Sequence, residues 1–462
     1  SIMSFLFASS KICNTFDLPK IETKFVKNMS YMFYECNSLE TFNSNNINAS
    51  SLIDISFMFS ECKSLVDIKY IENLIVDKVT NISHMFSGCS SLNNLDLSKI
   101  KTNSIKDMSY MFSNCISINS IDFSKFGQNK ISNMSHTFFD CISLNYIDFT
   151  NFDSSSVIDM SSLFENCNSL NVLDISSFDT RNVKTMKNMF NYCSTLNKLV
   201  IGNLDTSNVE DFSSMFKNCQ NLEELDVSKF DTKNGLDMSS MFDSCSSLKT
   251  LNLSNFDTSK TKNMSNMFYY CIGLDTLDIS SFDTSQVEDM SSMFNNLIQV
   301  QKIDVSKFIT SKVKDMNYMF YNDILITELN LNNFDTSKVT NMSHMFANAN
   351  NIKSLDVSKF KTDEVLNMSS MFYDCRNLLS LDVSKFNTKK VKDMSYMFRE
   401  CTNLEKLNVS NFDTSQTTKM NYMFSNCFEI FSLDTSKFNT EKVVDMSNLF
   451  AGLEDIYSLD ES

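Results

Sequence analysis

Glycine and proline are nearly missing from these 462 residues, at six and one, and there is no tryptophan. Basic charge is also short, with 40 Lys and Arg against 56 Asp and Glu, a formal charge of −16. That deficit leaves no basic stripe to neutralise phosphates, which excludes nucleic acid as a partner and disfavours an anionic membrane surface. No apolar run approaches the roughly 18 residues of a membrane-spanning helix. There is no G-x-G-x-x-G, no P-loop, no H-E-x-x-H and no nucleophile beside a base, so no enzymatic activity, cofactor or metal is expected. What is present in excess is 29 methionines and 41 phenylalanines, and with 42% hydrophobic residues the chain has the material for a large core, which excludes disorder.

The excess is periodic. Phenylalanine falls at Phe7, Phe33 and Phe59, then every 26 residues from Phe86 to Phe450. The single step of 27, from Phe59 to Phe86, places a one-residue insertion between positions 70 and 79. Numbered from Leu225 as position 1, each unit reads L-D-V-S-K-F-D-T-S-K-V-K-D-M-S-Y-M-F-x-N-C-x-N-L-x-x, with residues 225–250 as one copy. All methionines sit at position 14 or 17. A fixed period of this size is the signature of a solenoid, since one unit cannot bury its apolar side but stacked units share a core.

Positions 1 to 4, as in Leu225-Asp226-Val227-Ser228, alternate with period 2 and predict a half-buried strand. Position 24 completes the L-x-x-L-x-V pattern of a leucine-rich-repeat strand. Positions 11 to 14, as in Val391-Lys392-Asp393-Met394, predict a second short strand, and S-x-M-F-x-x-C a serine-capped helical turn. Turns are assigned to Asp-Thr-Ser, as at Asp257-Thr258-Ser259, whose side chains bond the nearby backbone. The expected fold is a single continuous α/β repeat solenoid of leucine-rich-repeat type over residues 1–462. It has about 18 coils, each with two short parallel-stacked strands and a helical turn, forming a weakly curved rod of roughly 80 Å.

Units such as Leu251-Asn252-Leu253-Ser254-Asn255-Phe256-Asp257-Thr258-Ser259, followed by Asn263-Met264-Ser265-Asn266-Met267-Phe268 and Cys271, resemble the BspA-like leucine-rich-repeat surface proteins. The resemblance covers essentially the whole chain. It departs at position 6, where many members carry tryptophan and this chain has phenylalanine or an aliphatic residue, as at Ile21, Ile100 and Leu204. It implies display at the cell surface and adhesion to host or neighbouring cells, and it carries no catalytic residues over.

Thirteen of the 14 cysteines occupy position 21, where other copies have Leu297, Ala349 and Leu453. A slot that takes leucine and alanine is buried and apolar, so the column reads as a ladder of core thiols, with occasional disulfides between adjacent coils as the alternative. Asp323 fills that slot once, which requires a local rearrangement or a partnered buried carboxyl. The methionine columns, interchangeable with Ile55, Ile82 and Phe212, read as core. Position 13, mixing Asp107 and Asp159 with Asn133 and Asn263, reads as a hydrogen-bond ladder.

Two exposed columns are candidate binding surfaces. The first is position 2: Asp174, Asp226, Asn252, Asp278, Asp304, Asn330, Asp356, Asp382, Asn408 and Asp434. It is either a solvated polar face or a face for a basic or hydroxyl-rich partner, with Lys229 and Lys307 offsetting part of its charge. The second is position 16, a variable surface slot holding Tyr110, His136, Tyr318, His344, Tyr396 and Tyr422, which suits a partner-binding stripe.

The sequence opens at position 12 of a coil and closes at positions 1 to 4, with neither end capped. Two expectations follow: a segment of a longer surface adhesin whose signal and anchor lie outside this chain, or a structural subunit stacking end to end in a filament, sheath or appendage. The expected partners are therefore a surface protein or glycan of a host or neighbouring cell, or copies of the chain itself, without direct membrane insertion.

Overall fold

A computed structural model describes residues 2–11, 14–93, 95–100, 102–124, 126, 129–454 and 458–460. The chain packs as two compact units, Ser1–Leu225 with Lys229–Asp231, and Asp226–Ser228 with Thr232–Ser462. Each is a β-solenoid. In the first, β1 (Asn14–Asp17), β2 (Leu39–Asn43) and β3 (Asp67–Lys69) form one parallel sheet. There, β4 (Ser120–Asp122) also pairs with β5 (Tyr146–Asp148), and β6 (Val172–Asp174) with β7 (Lys198–Val200). In the second, β8 (Ser380–Leu381) pairs with β9 (Lys406–Leu407), and β10 (Ser432–Asp434) with β11 (Ser458–Asp460). Pairing such as Ile121 with Ile147 is offset by one whole repeat, so like residues stack on like. Position 1 points into the core while positions 26 and 2 point out, as the alternation requires.

Two expectations within the coil are corrected. The second strand contracts to one bridging residue at position 13, as in Asn28 with Asp54 or Asn263 with Asp289. The helical turn is absent: positions 14 to 24 run as successive tight turns. Among the described residues the one regular helical turn is a 3-10 segment, Ile71–Asn73. It absorbs the inserted residue, with Tyr70 left-handed before it and Ile71 buried.

The turns arise from how the backbone divides its hydrogen bonds. Met32, Tyr34, Cys36 and Leu39 donate their N–H groups within the coil, to the carbonyls of Met29, Tyr31, Phe33 and Cys36. The intervening N–H groups of Met29, Tyr31, Phe33 and Glu35 donate instead to Asp54, Ser56, Met58 and Ser60 of the next coil, at 2.9–3.0 Å. The second unit repeats the scheme, for instance from Met264, Asn266, Phe268 and Tyr270 to Asp289, Ser291, Met293 and Asn295. A helix would send every N–H back four residues and leave none for the neighbouring coil. Two of these four turns, those closed by Met32 and Cys36, carry a left-handed third residue, at positions 16 and 20: Tyr31 (φ 56°) and Glu35 (φ 58°).

The apolar slots fill the centre. In the first unit the position-18 rings form a row from Phe7 to Phe216, whose steps include 5.5 Å from Phe33 to Phe59 and 5.6 Å from Phe190 to Phe216. A second row runs from Phe242 to Phe450 in the other unit, with steps such as 5.5 Å from Phe294 to Phe320. Each such pair adds about 0.5–1.5 kcal/mol beyond its burial. Threonine at position 8, polar in sequence, is buried at every coil from Thr180 to Thr414. The Thr258 hydroxyl donates to the Asp283 carbonyl at 2.9 Å and accepts the Asp283 N–H at 2.8 Å, clamping one coil to the next.

Candidate functional site

The position-2 column lies exposed along the strand face, as expected, but its carboxylates are already engaged. Each Oδ1 accepts the backbone N–H two residues on: Asp174 from Ser176 at 2.9 Å, Asp226 from Ser228 at 3.0 Å, and Asp278 from Ser280 at 3.0 Å. Asn252, Asn330 and Asn408 do the same at 3.1–3.2 Å. In Asp356, Asp382 and Asp434 the serine hydroxyl adds a second bond at 2.6 Å. This Asx turn is why the chain bends without glycine. The serine hydroxyl and backbone N–H together hold Asp174, Asp304, Asp356, Asp382 and Asp434 below the usual carboxylate range. For Asp278 the backbone N–H is the larger influence, with Lys307 adding a smaller pull.

Parts of the column are gathered into shallow clefts. Asp148 and Asp174 share one of about 640 Å³ with Tyr146 and Val172. Asp382 and Asn408 share one of about 400 Å³ with Lys406 and Phe431, and Asp304 and Asn330 line another in the same unit. The remaining column residues, Asp226, Asn252, Asp278, Asp356 and Asp434, stand exposed on the strand face outside these clefts. Apolar neighbours were missed in the sequence: Tyr146, Val172, Leu379 and Phe431 are 44–58% exposed. For Tyr146 and Val172 the signal was available, because both hold position 26, on the same side of the strand as position 2; Leu379 and Phe431 hold position 25, whose exposure alternation does not announce.

The position-13 column does less along the stack than a ladder would. Its Oδ1 atoms close turns within their own coil, as Asp107 does with Ser109 at 2.9 Å. Among the described residues its side-chain contacts between coils include hydrogen bonds from Asn28 to Asp54 at 3.1 Å and Asn341 to Asp315 at 3.4 Å, and an ion pair of Lys419 with Asp393 at 3.8 Å.

Position 16 departs most from expectation. Apart from the exposed Phe5 its rings are half-buried, and in the first unit they make one stacked row: Phe5, Tyr31, Phe57, His84, Tyr110 and His136. Centroids are 4.1–4.6 Å apart and planes within 9°. In the second unit Tyr318 stacks on His344 at 4.2 Å and Tyr396 on Tyr422 at 5.1 Å, with Ser370 in the slot between the pairs. These residues hold φ of 53–62°, where rings are uncommon, so stacking offsets a backbone cost. Burial lowers the pKa of His84, His136 and His344, and raises that of Tyr110 and Tyr318. The Nδ1 atoms of His136 and His344 are buried without a hydrogen-bond partner. The Arg399 guanidinium lies 5.8, 5.5 and 5.0 Å from the rings of Tyr373, Tyr396 and Tyr422.

The position-21 thiols are buried, with no disulfide among the described residues; Cys13 lies outside them. Their S–H groups reach back one coil, as Cys62 does to the Phe33 carbonyl at 2.9 Å and Cys401 to that of Phe372 at 3.1 Å. Burial pushes Cys193, Cys375 and Cys427 up to about 12, so these are inert packing groups. Asp323 is the buried carboxyl of the two alternatives. Its Oδ1 accepts the Leu297 N–H at 2.9 Å, Oδ2 has no hydrogen-bond partner, and burial raises its pKa well above the ordinary value. Among the described residues no group of three or more His, Cys, Asp or Glu is placed to hold a metal ion, and no helix is long and apolar enough to cross a membrane.

A family model described as "Mycoplasma protein of unknown function, DUF285" matches the chain in overlapping stretches: 1–69, 54–172, 106–221, 158–272, 197–302, 237–355, 298–382 and 353–459. No curated protein matches. Among solved structures, the chain is similar to a leucine-rich repeat protein from Bacteroides ovatus, at 16% identity and TM-score 0.35, covering 91% of this chain and 86% of that one. It is also similar to a leucine-rich cell surface protein from Faecalibacterium prausnitzii, at 12% and 0.25, covering 97% and 88%. A leucine-rich repeat protein from Eubacterium ventriosum matches at 12% and 0.28, covering 90% and 83%.

Proposed function

The chain belongs to the family described as Mycoplasma protein of unknown function, DUF285, and from that premise we propose a non-enzymatic repeat protein, displayed at the cell surface, that binds a protein or glycan of a host or neighbouring cell through its strand face. The observation that carries this reading is the composition of that face. Carboxylates held ionised by their own turns, among them Asp174 and Asp382, line shallow clefts with exposed Tyr146, Val172 and Phe431, and Leu379 is exposed close by in the sequence. Fixed charge next to aromatic and aliphatic surface is the make-up of a contact patch. Surface display itself rests on the resemblance of the repeats to BspA-like proteins.

The test uses immobilised matrix proteins and glycans, probed with the intact chain and with the triple variant Asp278→Asn, Asp304→Asn, Asp356→Asn. Asparagine keeps the Oδ1 acceptor, as Asn252 does natively, so the turns survive while the charge goes. Loss of binding to the captured partner by at least about tenfold, with the fold intact, is the expected result. Full binding by this variant and by a second one, Leu379→Ser with Phe431→Ser, would move the interface off the strand face.

A further inference from the structure

The ring row of the second unit is interrupted once between two stacked pairs. At Ser370 the backbone has φ 56°, close to His344 at 57° and Tyr396 at 62°, so the slot keeps its geometry and lacks only the ring. Two coil spacings of about 4.8 Å set the His344 and Tyr396 rings roughly 9–10 Å apart. A ring midway would stack on both within the usual centroid range of about 4.5–7 Å. The interruption opens a cleft of about 400 Å³ walled by Tyr321, His344, Ser370, Tyr373, Tyr396 and Arg399.

The cleft is polar in one respect. Arg399 Nε is buried and makes no hydrogen bond, although Glu400 Oε1 lies 3.5 Å away outside bonding geometry. The neighbouring cation, Arg376, is committed to Asp374 through two bonds of 2.5 and 3.2 Å. Arg399 thus lies against tyrosine faces, ion-paired with Glu400 at 3.5 Å but with its Nε still without a hydrogen bond, which suits an anionic acceptor at the edge of a stacked ring.

We propose that the cleft at Ser370 binds a small, flat aromatic acid, its ring between His344 and Tyr396 and its carboxylate on Arg399. The site is separate from the strand face, so loss of either reading leaves the other standing.

The test titrates the intact chain with 2-naphthoate, following naphthyl fluorescence and ring-current shifts by NMR. Saturable one-to-one binding at about 1 mM or tighter is expected. Ser370→Tyr supplies the missing ring, in a slot that already takes Tyr318 and Tyr396, and should weaken binding at least about tenfold without loss of thermal stability. Ser292→Tyr, in the same slot of another coil, should leave binding unchanged. His344→Ser removes one wall and gives an independent reading should Ser370→Tyr fold poorly; it too should weaken binding. Arg399→Gln should weaken 2-naphthoate but not neutral 2-naphthamide. Absence of saturation to several millimolar, or equal binding by wild type, Ser370→Tyr and His344→Ser, overturns the site; equal 2-naphthoate binding by Arg399→Gln overturns the assignment of an acid.

Discussion

The two units use the same coil yet treat its variable slots differently. In the first, position 21 is cysteine from Cys36 to Cys219 and the position-16 rings stack without a break from Phe5 to His136. In the second, cysteine gives way to Leu297, Asp323 and Ala349, and one slot further along the ring row is broken at Ser370. Both departures fall between residues 297 and 375. Because the backbone is held by bonds between coils and not by these side chains, single coils can lose a thiol or a ring while the coil path persists. Regularity here is stability in excess, and local irregularity is where a buried acid or a cleft can be accommodated.

That contrast can be broken by substitution. Phe112→Ala, in the core row of the first unit, should cost about 3–5 kcal/mol, read by denaturant unfolding. Two residues away, Tyr110→Ser removes two stacking contacts at once and should cost about 1–3 kcal/mol while opening a cleft like that at Ser370. Equal losses would mean that the outer row is as much core as the inner.

Asp323→Cys restores the thiol column and should raise the stability of the surrounding coils by about 1–3 kcal/mol at neutral pH, measured by hydrogen exchange. The native carboxyl has a raised folded pKa, so its coils are most stable below the ordinary Asp value of about 4 and weaken as pH climbs from there toward the folded value. The cysteine variant should be flat across that window. The smallest effect belongs to the triple Asp278, Asp304 and Asp356 to Asn variant, which should stay within about 0.5 kcal/mol of wild type because each turn keeps its acceptor.

Much of this was legible in the residues. The period, the burial of Leu225 and Phe242, and the outward Asp226 follow from alternation and repetition, since a stacked slot must suit every coil. The helical turn was misread because spacings of three and four belong equally to a helix and to consecutive turns that each close over three residues. Left-handed positions are normally announced by glycine, yet here Asn114, Asn166 and Asn296 take them at position 20, and Tyr, His and Ser at position 16. Asparagine was the available clue. Thr258 gave none, because nothing local shows that a hydroxyl will be buried between two peptide groups of the next coil. Ring stacking at position 16 depends on the distance between coils, which no single repeat reveals.

A coil tied only to the coils before and after it is also a unit of mechanical release. Under tension, such a stack yields at its loaded edge first, where the bonds of one turn part together, such as the five backbone bonds from that of Met264 with Asp289 to that of Glu288 with Lys262 and the two at Thr258, while the interior stays sealed. Each 26-residue turn that peels away would add about 90 Å of slack, so force on the chain is met by stepwise lengthening and not by rupture.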